Sequence, residues 1–351
     1  MSGQTEERLR GCVSPLLAWY RENRRALPWR DAPTPYRVWV SEIMLQQTRI
    51  EAVIPYYERF LAELPDVAAL AAAPEERLLK LWEGLGYYSR ARNLKKAAQR
   101  VEAEHGGRLP ADAAALRRLP GIGDYTAGAI ASIAFGLPEP AVDGNVLRVV
   151  MRLTARGDDV LAQKTRRLVT DELRRVYPTG AEAGLLTEAL MELGETLCVP
   201  NGEARCGACP LRALCLAGLA GEAARYPVRE AKRERRREEK TVFLLRCGGR
   251  WALRRRGESG LLAGMWELPN APGALGEDEA AAWLRAQGLT PLALSPCGEA
   301  RHAFTHVEWQ MRGYLADCAE ESGPYRWETA AEIRRACAVP TAFRAYVKQL
   351  S

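Results

Sequence analysis

The chain has 351 residues and a formal net charge of +6, with 47% hydrophobic and 27% charged residues. This composition excludes collagen-like, coiled-coil and globally disordered proteins, and the length predicts about two globular domains. The modest positive charge permits a polyanionic partner without requiring one.

The first ten residues contain no apolar stretch after a basic start, and no apolar run reaches the length of a membrane span. Five of the nine cysteines are scattered singly, which is typical of reduced thiols. We therefore expect a cytoplasmic protein, associated with the nucleoid if it is bacterial.

Up to about residue 225, apolar residues recur at spacings of three and four between Pro and Gly residues, which predicts a series of helices. The predicted helices cover residues 37–49, 67–82, 90–104, 111–118, 124–135, 144–155, 163–176 and 182–197. We therefore expect residues 1–225 to form a mainly α domain.

The composition changes at residues 229–240, which combine seven basic and four acidic side chains with no large apolar anchor. Such a segment cannot bury surface and predicts a solvated linker, placed at 226–240. Beyond it, the predicted strands are 241–245, 251–256 and 309–316, and the predicted helices are 276–287 and 328–350. Residues 241–351 should therefore form an α+β domain.

The first candidate for chemistry is Glu42, in a predicted helix that is apolar almost all round and therefore buried. On the helical wheel, Val38 and Leu45 lie close to Glu42, so its carboxyl projects from an apolar face. Desolvation favours the neutral form of a carboxyl and suits a general acid. A Glu that reaches solvent or pairs with an Arg is the equally open alternative.

Residues 119–128 place Gly121 and Gly123 on either side of one apolar residue. This pattern permits a tight hairpin between helices, with free N–H groups at the start of the next helix that could bind a phosphate. An ordinary helix–helix turn is the alternative.

Asp143 opens the helix predicted at 144–155, where Asp is a common N-cap. The amino end of a helix also keeps a carboxylate ionised. An ionised Asp143 could stabilise positive charge beside a neutral Glu42, and the two roles are compatible.

Four cysteines lie within 18 residues, at Cys198, Cys206, Cys209 and Cys215. A cluster of this kind, with one C-x-x-C pair, is a strong signal for a metal site. Its uneven spacing suits either zinc or a 4Fe-4S cluster, and the spacing alone leaves both open.

Taken together, several motifs resemble the helix-hairpin-helix DNA glycosylases that carry an iron–sulfur loop. The motifs are LPWR (27–30), SEIMLQQT (41–48), GLGYYSRARN (84–93), LPGIGDYTAGAI (119–130), VDGNVLRV (142–149) and the cysteine cluster. The resemblance is closer to the adenine-specific MutY branch than to the endonuclease III branch. It implies a 4Fe-4S cluster on the four cysteines, and a monomer that acts on duplex DNA holding adenine opposite 8-oxoguanine or guanine.

The resemblance also implies a domain organisation. Residues 1–225 would be the helix-hairpin-helix catalytic domain, comprising a six-helix barrel and an iron–sulfur domain with the four-cysteine loop at 198–215. Residues 241–351 would be a Nudix-like domain that recognises 8-oxoguanine. The first cysteine spacing is seven residues, where the family commonly has six, and a bulge within 199–205 could absorb the difference.

By this resemblance, Glu42 protonates the adenine and handles the attacking water, while Asp143 stabilises the oxocarbenium ion of the sugar. This agrees with the general chemistry, because adenine leaves poorly as an anion and the cation at C1′ needs a nearby negative charge. Gln47 and Tyr87 would fill the space left by the extruded base. The other implied DNA- or base-binding residues are Trp29, Arg30, Thr48, Gly121, Gly123, Tyr125, Asn145 and Glu188.

Tyr125 separates the two branches of the family. Enzymes of the endonuclease III type carry a Lys at this place, whose amine forms a Schiff base that leads to strand cleavage. A phenol instead predicts a monofunctional glycosylase that leaves the abasic site uncut. The competing hypotheses are a lyase of the endonuclease III type and a non-catalytic iron–sulfur DNA-binding protein.

In the second domain, residues 262–269 resemble the run that precedes a Nudix box, but residues 281–288 lack the acidic magnesium ligands of that box. Pyrophosphatase activity is therefore not expected. Phe304, Thr305 and His306 resemble the family's Phe-Ser-His loop, which recognises 8-oxoguanine. A strand with a half-buried Phe is the alternative.

Overall fold

A computed structural model describes residues 3–229, 235–257, 259–304 and 306–350. The described residues divide into two compact units. The first unit holds those within 1–72 and 93–231, and the second holds those within 73–92 and 232–351. No helix in the described ranges combines the length and apolar character needed to cross a membrane.

The chain is helical as far as residue 225, in agreement with the sequence-based expectation of a mainly α region. Its α-helices are α1 (Gly3–Asn23), α2 (Pro35–Leu45), α3 (Ile50–Glu63), α4 (Val67–Ala72), α5 (Glu75–Trp82), α6 (Ser89–His105), α7 (Ala113–Arg117), α8 (Asp124–Ala129), α9 (Gly144–Thr154), α10 (Gln163–Arg174), α11 (Ala181–Thr196) and α12 (Leu216–Leu219). A π-helical turn, Ile130–Ala134, continues α8.

The four-residue α12 is absent from the sequence-based prediction, and so are the two long helices α1 and α3. Each contains an internal proline, Pro15 in α1 and Pro55 in α3, which local sequence rules treat as a helix breaker. Packing outweighs this local cost, because Leu16 and Tyr20 of α1 and Phe60 of α3 are completely buried.

The core of the first unit lies around α9 and α11. Asp143 caps α9 as predicted, because its carboxylate accepts a hydrogen bond of 2.7 Å from the backbone N–H of Val146. Met151 of α9 and Ala189 of α11 are fully buried in a cluster that also includes residues of α1 and α10. The rigid N-terminal end of α9 therefore fixes the position of Asp143.

The second unit is α+β, as expected from the sequence. Its remaining elements are β1 (Arg236–Cys247), β2 (Arg250–Arg255), β3 (Trp266–Glu267), β4 (Asn270–Pro272), α13 (Glu277–Ala286), β5 (Pro291–Ala303), β6 (Val307–Cys318), β7 (Arg326–Thr329), α14 (Ala330–Ala336) and α15 (Arg344–Val347). Among the described residues the strands form one seven-stranded sheet with the main order β3-β2-β1-β6-β5. Strands β1 and β6 are parallel, whereas every other recorded pair is antiparallel.

The structure corrects three boundaries predicted from the sequence. Residues 236–240 of the expected linker belong to β1, where Arg236 pairs with Val307, because backbone hydrogen bonds tolerate polar side chains. The helix expected at 328–350 is instead the end of β7 followed by α14 and α15, and Pro340 lies in the break between these two helices. Residues 73–92 group with the second unit, and the carboxylate of Glu83 accepts a hydrogen bond of 2.9 Å from the N–H of Val339.

Candidate functional site

The candidate active site is a cavity of about 960 Å³ in the first unit. Nine of the residues singled out from the sequence line this cavity. They are Trp29, Arg30, Glu42, Gln47, Thr48, Tyr125, Asp143, Asn145 and Glu188. Residues separated by up to 159 positions in the chain (188 minus 29) therefore meet in one place.

Glu42 lies near the end of α2 and is only 5% exposed, which confirms its predicted burial. Thr34 caps this helix and Pro35 occupies its first position, so the start of α2 is well defined. Burial raises the pKa of Glu42 to about 7, even though a hydrogen bond from the hydroxyl of Tyr125 lowers it. A carboxyl of this kind is protonated in a large fraction of molecules at neutral pH.

Tyr125 reaches Glu42 from the second helix of the predicted hairpin. The hairpin joins α7 to α8, and Gly121 adopts a left-handed backbone with φ of 77°. A Cβ at Gly121 would also lie 2.7 Å from Cβ of Asn93, so glycine is required there. Gly123 caps α8 without a side chain. Burial raises the pKa of Tyr125 well above its usual range, and therefore the phenol stays protonated.

Burial acts on Asp143 in addition to the helix end that the sequence predicts. The helix end favours the ionised carboxylate, whereas burial raises its pKa above the ordinary value. The N–H of Val146 and the amide of Asn145, at 2.7 and 2.9 Å, oppose this effect without cancelling it. Desolvation, which sequence cannot measure, outweighs the helix end here.

Asn145 connects the cavity to the interior of the first unit. Its side-chain amide donates to Asp143 and to Glu195, both at 2.9 Å, and its side-chain oxygen accepts a bond of 2.7 Å from Arg148. Arg148 also donates to the carbonyl of Cys198 at 2.7 Å. The orientation of Asn145 is therefore fixed on both sides.

The wall opposite α2 contains a group of charged residues that the sequence signalled only in part. Glu188 accepts a hydrogen bond of 2.9 Å from Tyr20, and Arg30 lies 3.8 Å from the Glu188 carboxylate. Sequence reasoning missed Arg25 and Glu192, which also line the cavity. Glu192 could have been found from its position, because it follows Glu188 by four residues and shares its helix face.

Two further candidates stand out by their backbone conformation. Gln47 and Tyr87 have positive φ values of 58° and 48°, which side-chain-bearing residues rarely adopt. Strain of this kind often marks a functional position. Gln47 lines the cavity of the first unit, whereas Tyr87 belongs to the second unit and is 46% exposed.

The four clustered cysteines all line a second, smaller pocket in the first unit. They are free thiols: Cys198, Cys206, Cys209 and Cys215. Arg152 donates to the sulfur of Cys198 and the N–H of Gly218 donates to the sulfur of Cys215, both at 3.3 Å. Within the described part of the chain, no three His, Cys, Asp or Glu side chains converge closely enough to hold a single metal ion.

In the second unit, two of the candidate recognition residues, Phe304 and His306, lie at the turn between β5 and β6. Phe304 is half-buried and packs edge-to-face against Trp309, with the two ring centroids 4.8 Å apart. Its packing therefore matches the alternative stated above, a half-buried Phe beside a strand. His306 is exposed and borders a groove that Lys240 and Arg256 also line. Thr305 lies outside the described residues.

Comparisons with known proteins agree with this architecture. Residues 40–177 match the HhH-GPD superfamily of base excision DNA repair proteins, and residues 241–349 match the NUDIX domain. The chain is thus a helix-hairpin-helix base excision repair protein that also carries a Nudix domain, as the sequence predicted.

Individual relatives define the family more narrowly. Adenine DNA glycosylase from Mus musculus is 35% identical over 399 aligned positions, which cover 94% of this chain and 76% of that protein. The structure of a thermostable thymine-DNA glycosylase superposes with a TM-score of 0.54 at 27% identity, covering 62% of this chain and 99% of that one. The structure of a non-covalent endonuclease III–DNA complex superposes with a TM-score of 0.53 at 25% identity, covering 63% of this chain and 99% of that one. The chain belongs to the adenine DNA glycosylase family.

Proposed function

We propose that this chain hydrolyses the N-glycosidic bond of adenine mispaired with 8-oxoguanine or guanine in duplex DNA. The observation that carries the proposal is the buried Glu42 carboxyl, with a pKa of about 7, in a cavity that Asp143 also lines. A protonated acid and a nearby carboxylate are the two groups that cleavage of a glycosidic bond requires.

Glu42 is the proposed general acid. Adenine is a poor leaving group as an anion, so protonation of the base must accompany cleavage. Burial favours the protonated form of the Glu42 carboxyl, so the acid holds a proton to donate at neutral pH. The hydrogen bond from Tyr125 fixes the orientation of the carboxyl. After cleavage, the Glu42 carboxylate can accept a proton from the attacking water.

Asp143 is the proposed stabiliser of the positive charge that develops on the sugar. Although burial raises its pKa, a cation forming in the same cavity favours its ionised form. Val146 and Asn145 hold the carboxylate in place with hydrogen bonds, so little reorganisation is needed during the reaction.

We propose a monofunctional enzyme because Tyr125 offers no amine. Schiff-base formation requires a primary amine at this position, and the buried phenol stays protonated. Borohydride should therefore fail to trap the protein on DNA. Efficient trapping would favour the endonuclease III type of lyase, whose fold this chain shares.

The remaining candidate residues are proposed to contact the extruded base and the DNA around it. Gln47 and Tyr87 would fill the vacated stack, and their strained backbones are consistent with side chains presented for insertion. The N–H groups at the start of α8, after Gly121 and Gly123, can bind a backbone phosphate. Trp29, Arg30, Thr48, Asn145 and Glu188 line the same cavity.

Recognition of 8-oxoguanine is assigned to Phe304, Thr305 and His306. In support, the exposed His306 borders a groove of about 540 Å³ lined by three cations and one carboxylate, Arg236, Lys240, Arg256 and Glu238, and this excess of positive charge suits a polyanionic strand. Residues 241–351 would thus recognise the lesion, while residues 1–225 carry out the chemistry.

The four cysteines fit a 4Fe-4S cluster. Their thiols line one pocket and receive hydrogen bonds from Arg152 and Gly218, as thiolate ligands commonly do. A cluster of four irons also needs ligand sulfurs that stand farther apart than the ligands of one zinc ion. The bound cluster would supply four metal–thiolate bonds that hold residues 198–215 together. Broad visible absorption with about four irons per chain would support it, whereas a colourless zinc protein would contradict it.

The decisive experiment uses Glu42→Gln on duplexes holding adenine opposite 8-oxoguanine, followed by alkali to reveal abasic sites. Wild-type protein should release the base, while the variant should lose release by about a thousandfold or more and keep its affinity for the mismatch. Base release by the variant at the wild-type rate would contradict the acid role of Glu42, whereas no base release by the wild-type protein would favour a non-catalytic DNA-binding protein.

A further inference from the structure

Glu192 is a buried carboxylate on the cavity wall for which the proposed chemistry has no use. It lies on α11 and is 1% exposed. One of its oxygens accepts a hydrogen bond of 2.6 Å from Nε of Arg25, and the other accepts bonds of 3.1 Å from Arg25 and 2.9 Å from Arg30. A charge buried this deeply is costly unless it is fully paired, so this arrangement calls for a reason.

The position of Arg30 supplies the reason. Its side chain is 8% exposed, and its guanidinium lies between two carboxylates, at 2.9 Å from Glu192 and 3.8 Å from Glu188. A further bond of 3.1 Å to the carbonyl of Arg25 and contact with the ring of Tyr20 complete its surroundings. Glu192 makes the closer ion pair, and Glu188 is left with the hydroxyl of Tyr20 as its hydrogen-bond donor.

The distribution of these charges matters for Glu42. After burial and the bond from Tyr125, the fields of Asp143 and then Glu188 raise the pKa of Glu42, whereas Arg30 lowers it. Although burial opposes it, the bonds from Arg25 and Arg30 hold the pKa of Glu192 below its ordinary value. Glu192 thus stays ionised and retains Arg30 at neutral pH.

We propose that Glu192 is a positioning residue that, by binding Arg25 and Arg30 together, prevents Arg30 from closing on Glu188 and so fixes the charge around Glu42. The inference rests on the proposed acid role of Glu42. It assigns to Glu192 an effect on the protonation of the acid, in addition to any effect on the shape of the cavity.

The test is the pH dependence of base release in single turnovers with Glu192→Gln, using adenine opposite 8-oxoguanine. Without the negative charge of Glu192, Arg30 pairs with Glu188 and cancels the field of that carboxylate at Glu42. The loss of this field favours ionisation of Glu42, so the midpoint of the alkaline limb should fall by about one pH unit. The maximal rate should also fall, by up to about 100-fold, because the cavity wall shifts.

Two further variants separate charge from shape. Glu192→Asp keeps the charge but shortens the side chain, so its midpoint should stay within about 0.3 pH unit of wild type while its rate falls. Glu182→Gln is the matched control, because Glu182 lies on the same helix in an exposed ion pair of 2.8 Å with Arg21. This control should match wild type in both rate and midpoint.

A pair of variants keeps the test decisive if Glu192→Gln alone does not fold. Arg30→Gln should raise the midpoint, because Arg30 lowers the pKa of Glu42. The double variant Arg30→Gln with Glu192→Gln removes both partners of the buried Arg30–Glu192 ion pair. A protein tolerates this better than the loss of one partner, which leaves the other charge buried without a counter-ion. If Glu192 acts through Arg30, the double variant should share the midpoint of Arg30→Gln within about 0.3 pH unit.

The inference is overturned if Glu192→Gln lowers the rate with an unchanged midpoint, or if the double variant differs in midpoint from Arg30→Gln. The first result would leave Glu192 with a purely structural role. Failure of the proposed function is distinguishable, because wild-type protein would then release no adenine at any pH.

Discussion

The cavity around Glu42 and the turn at Phe304 and His306 differ in how far they exclude water from their side chains. In the cavity, Glu42 and Glu192 are almost completely buried and hydrogen-bonded. At the turn, His306 is exposed and Phe304 is only half-buried. Chemistry on a base needs groups whose protonation is set by exclusion of water, whereas recognition of a duplex needs groups that can reach it.

This contrast teaches that the two tasks should respond differently to mutation. A change in the cavity should alter the rate of base release and its pH dependence. A change at the turn should alter the choice of mismatch with little effect on the rate at saturation. Each of the four predictions that follow tests whether mutations in the cavity and mutations at the turn have these different effects.

The largest effect is expected for Asp143→Asn. The amide keeps the size of the side chain but cannot stabilise a cation, so base release should slow by about 100- to 1,000-fold. Single-turnover excision from a saturated duplex measures it. A rate within threefold of wild type would remove Asp143 from the proposed chemistry.

A stability effect should follow from the raised pKa of Glu42. Its unfolded carboxyl ionises near its usual pKa of 4.5, but the folded one ionises only at about 7. The contribution of this group to the free energy of unfolding is therefore complete below about pH 4.5 and is lost as the pH rises to 7, by about 2 to 3 kcal/mol. The free energy of unfolding of Glu42→Gln should not show this decrease with pH.

Urea unfolding of wild type and Glu42→Gln at pH 5 and pH 8 measures the difference. The control is Glu182→Gln, whose exposed carboxyl should leave the pH dependence unchanged. Parallel pH dependence in wild type and Glu42→Gln would mean that Glu42 is not held neutral in the folded protein.

At the turn, Phe304→Ala combined with His306→Ala should reduce the preference for adenine opposite 8-oxoguanine over adenine opposite guanine by about tenfold. This corresponds to about 1.4 kcal/mol, an ordinary value for a few lost contacts. The rate on the guanine mismatch at saturating protein should not change. A matching loss on both substrates would break the separation between recognition and chemistry.

The smallest effect is expected for Tyr125→Phe. The hydrogen bond from Tyr125 lowers the pKa of Glu42, so its removal should raise the midpoint of the alkaline limb by about half a pH unit. This shift is opposite in sign to that of Glu192→Gln. Rates measured between pH 6 and pH 9 would detect it, and a downward shift would contradict the assignment of Glu42 as the acid.

The sequence predicted the fold class of both parts and most of their elements. The helices that carry Glu42 and Asp143 have clear apolar periodicity and caps, and their existence is a local property. The prolines of α1 and α3 hid these two helices, since packing against the rest of the chain overrides the local cost. The pairing of residues 236–240 with β6 was equally invisible, because it depends on a strand about 70 residues away.

For this protein, the sequence by itself determined which chemical groups are present: the buried acid, the capping carboxylate, the glycine hairpin and the four thiols. Only the tertiary structure decided their electrostatic state. It raised the pKa of Asp143 against the effect of its helix end, and it brought Glu192 together with Arg25 and Arg30 from more than 160 residues away. Local spacing fixes which side chains share a helix face, whereas burial and charge pairing depend on contacts between distant segments.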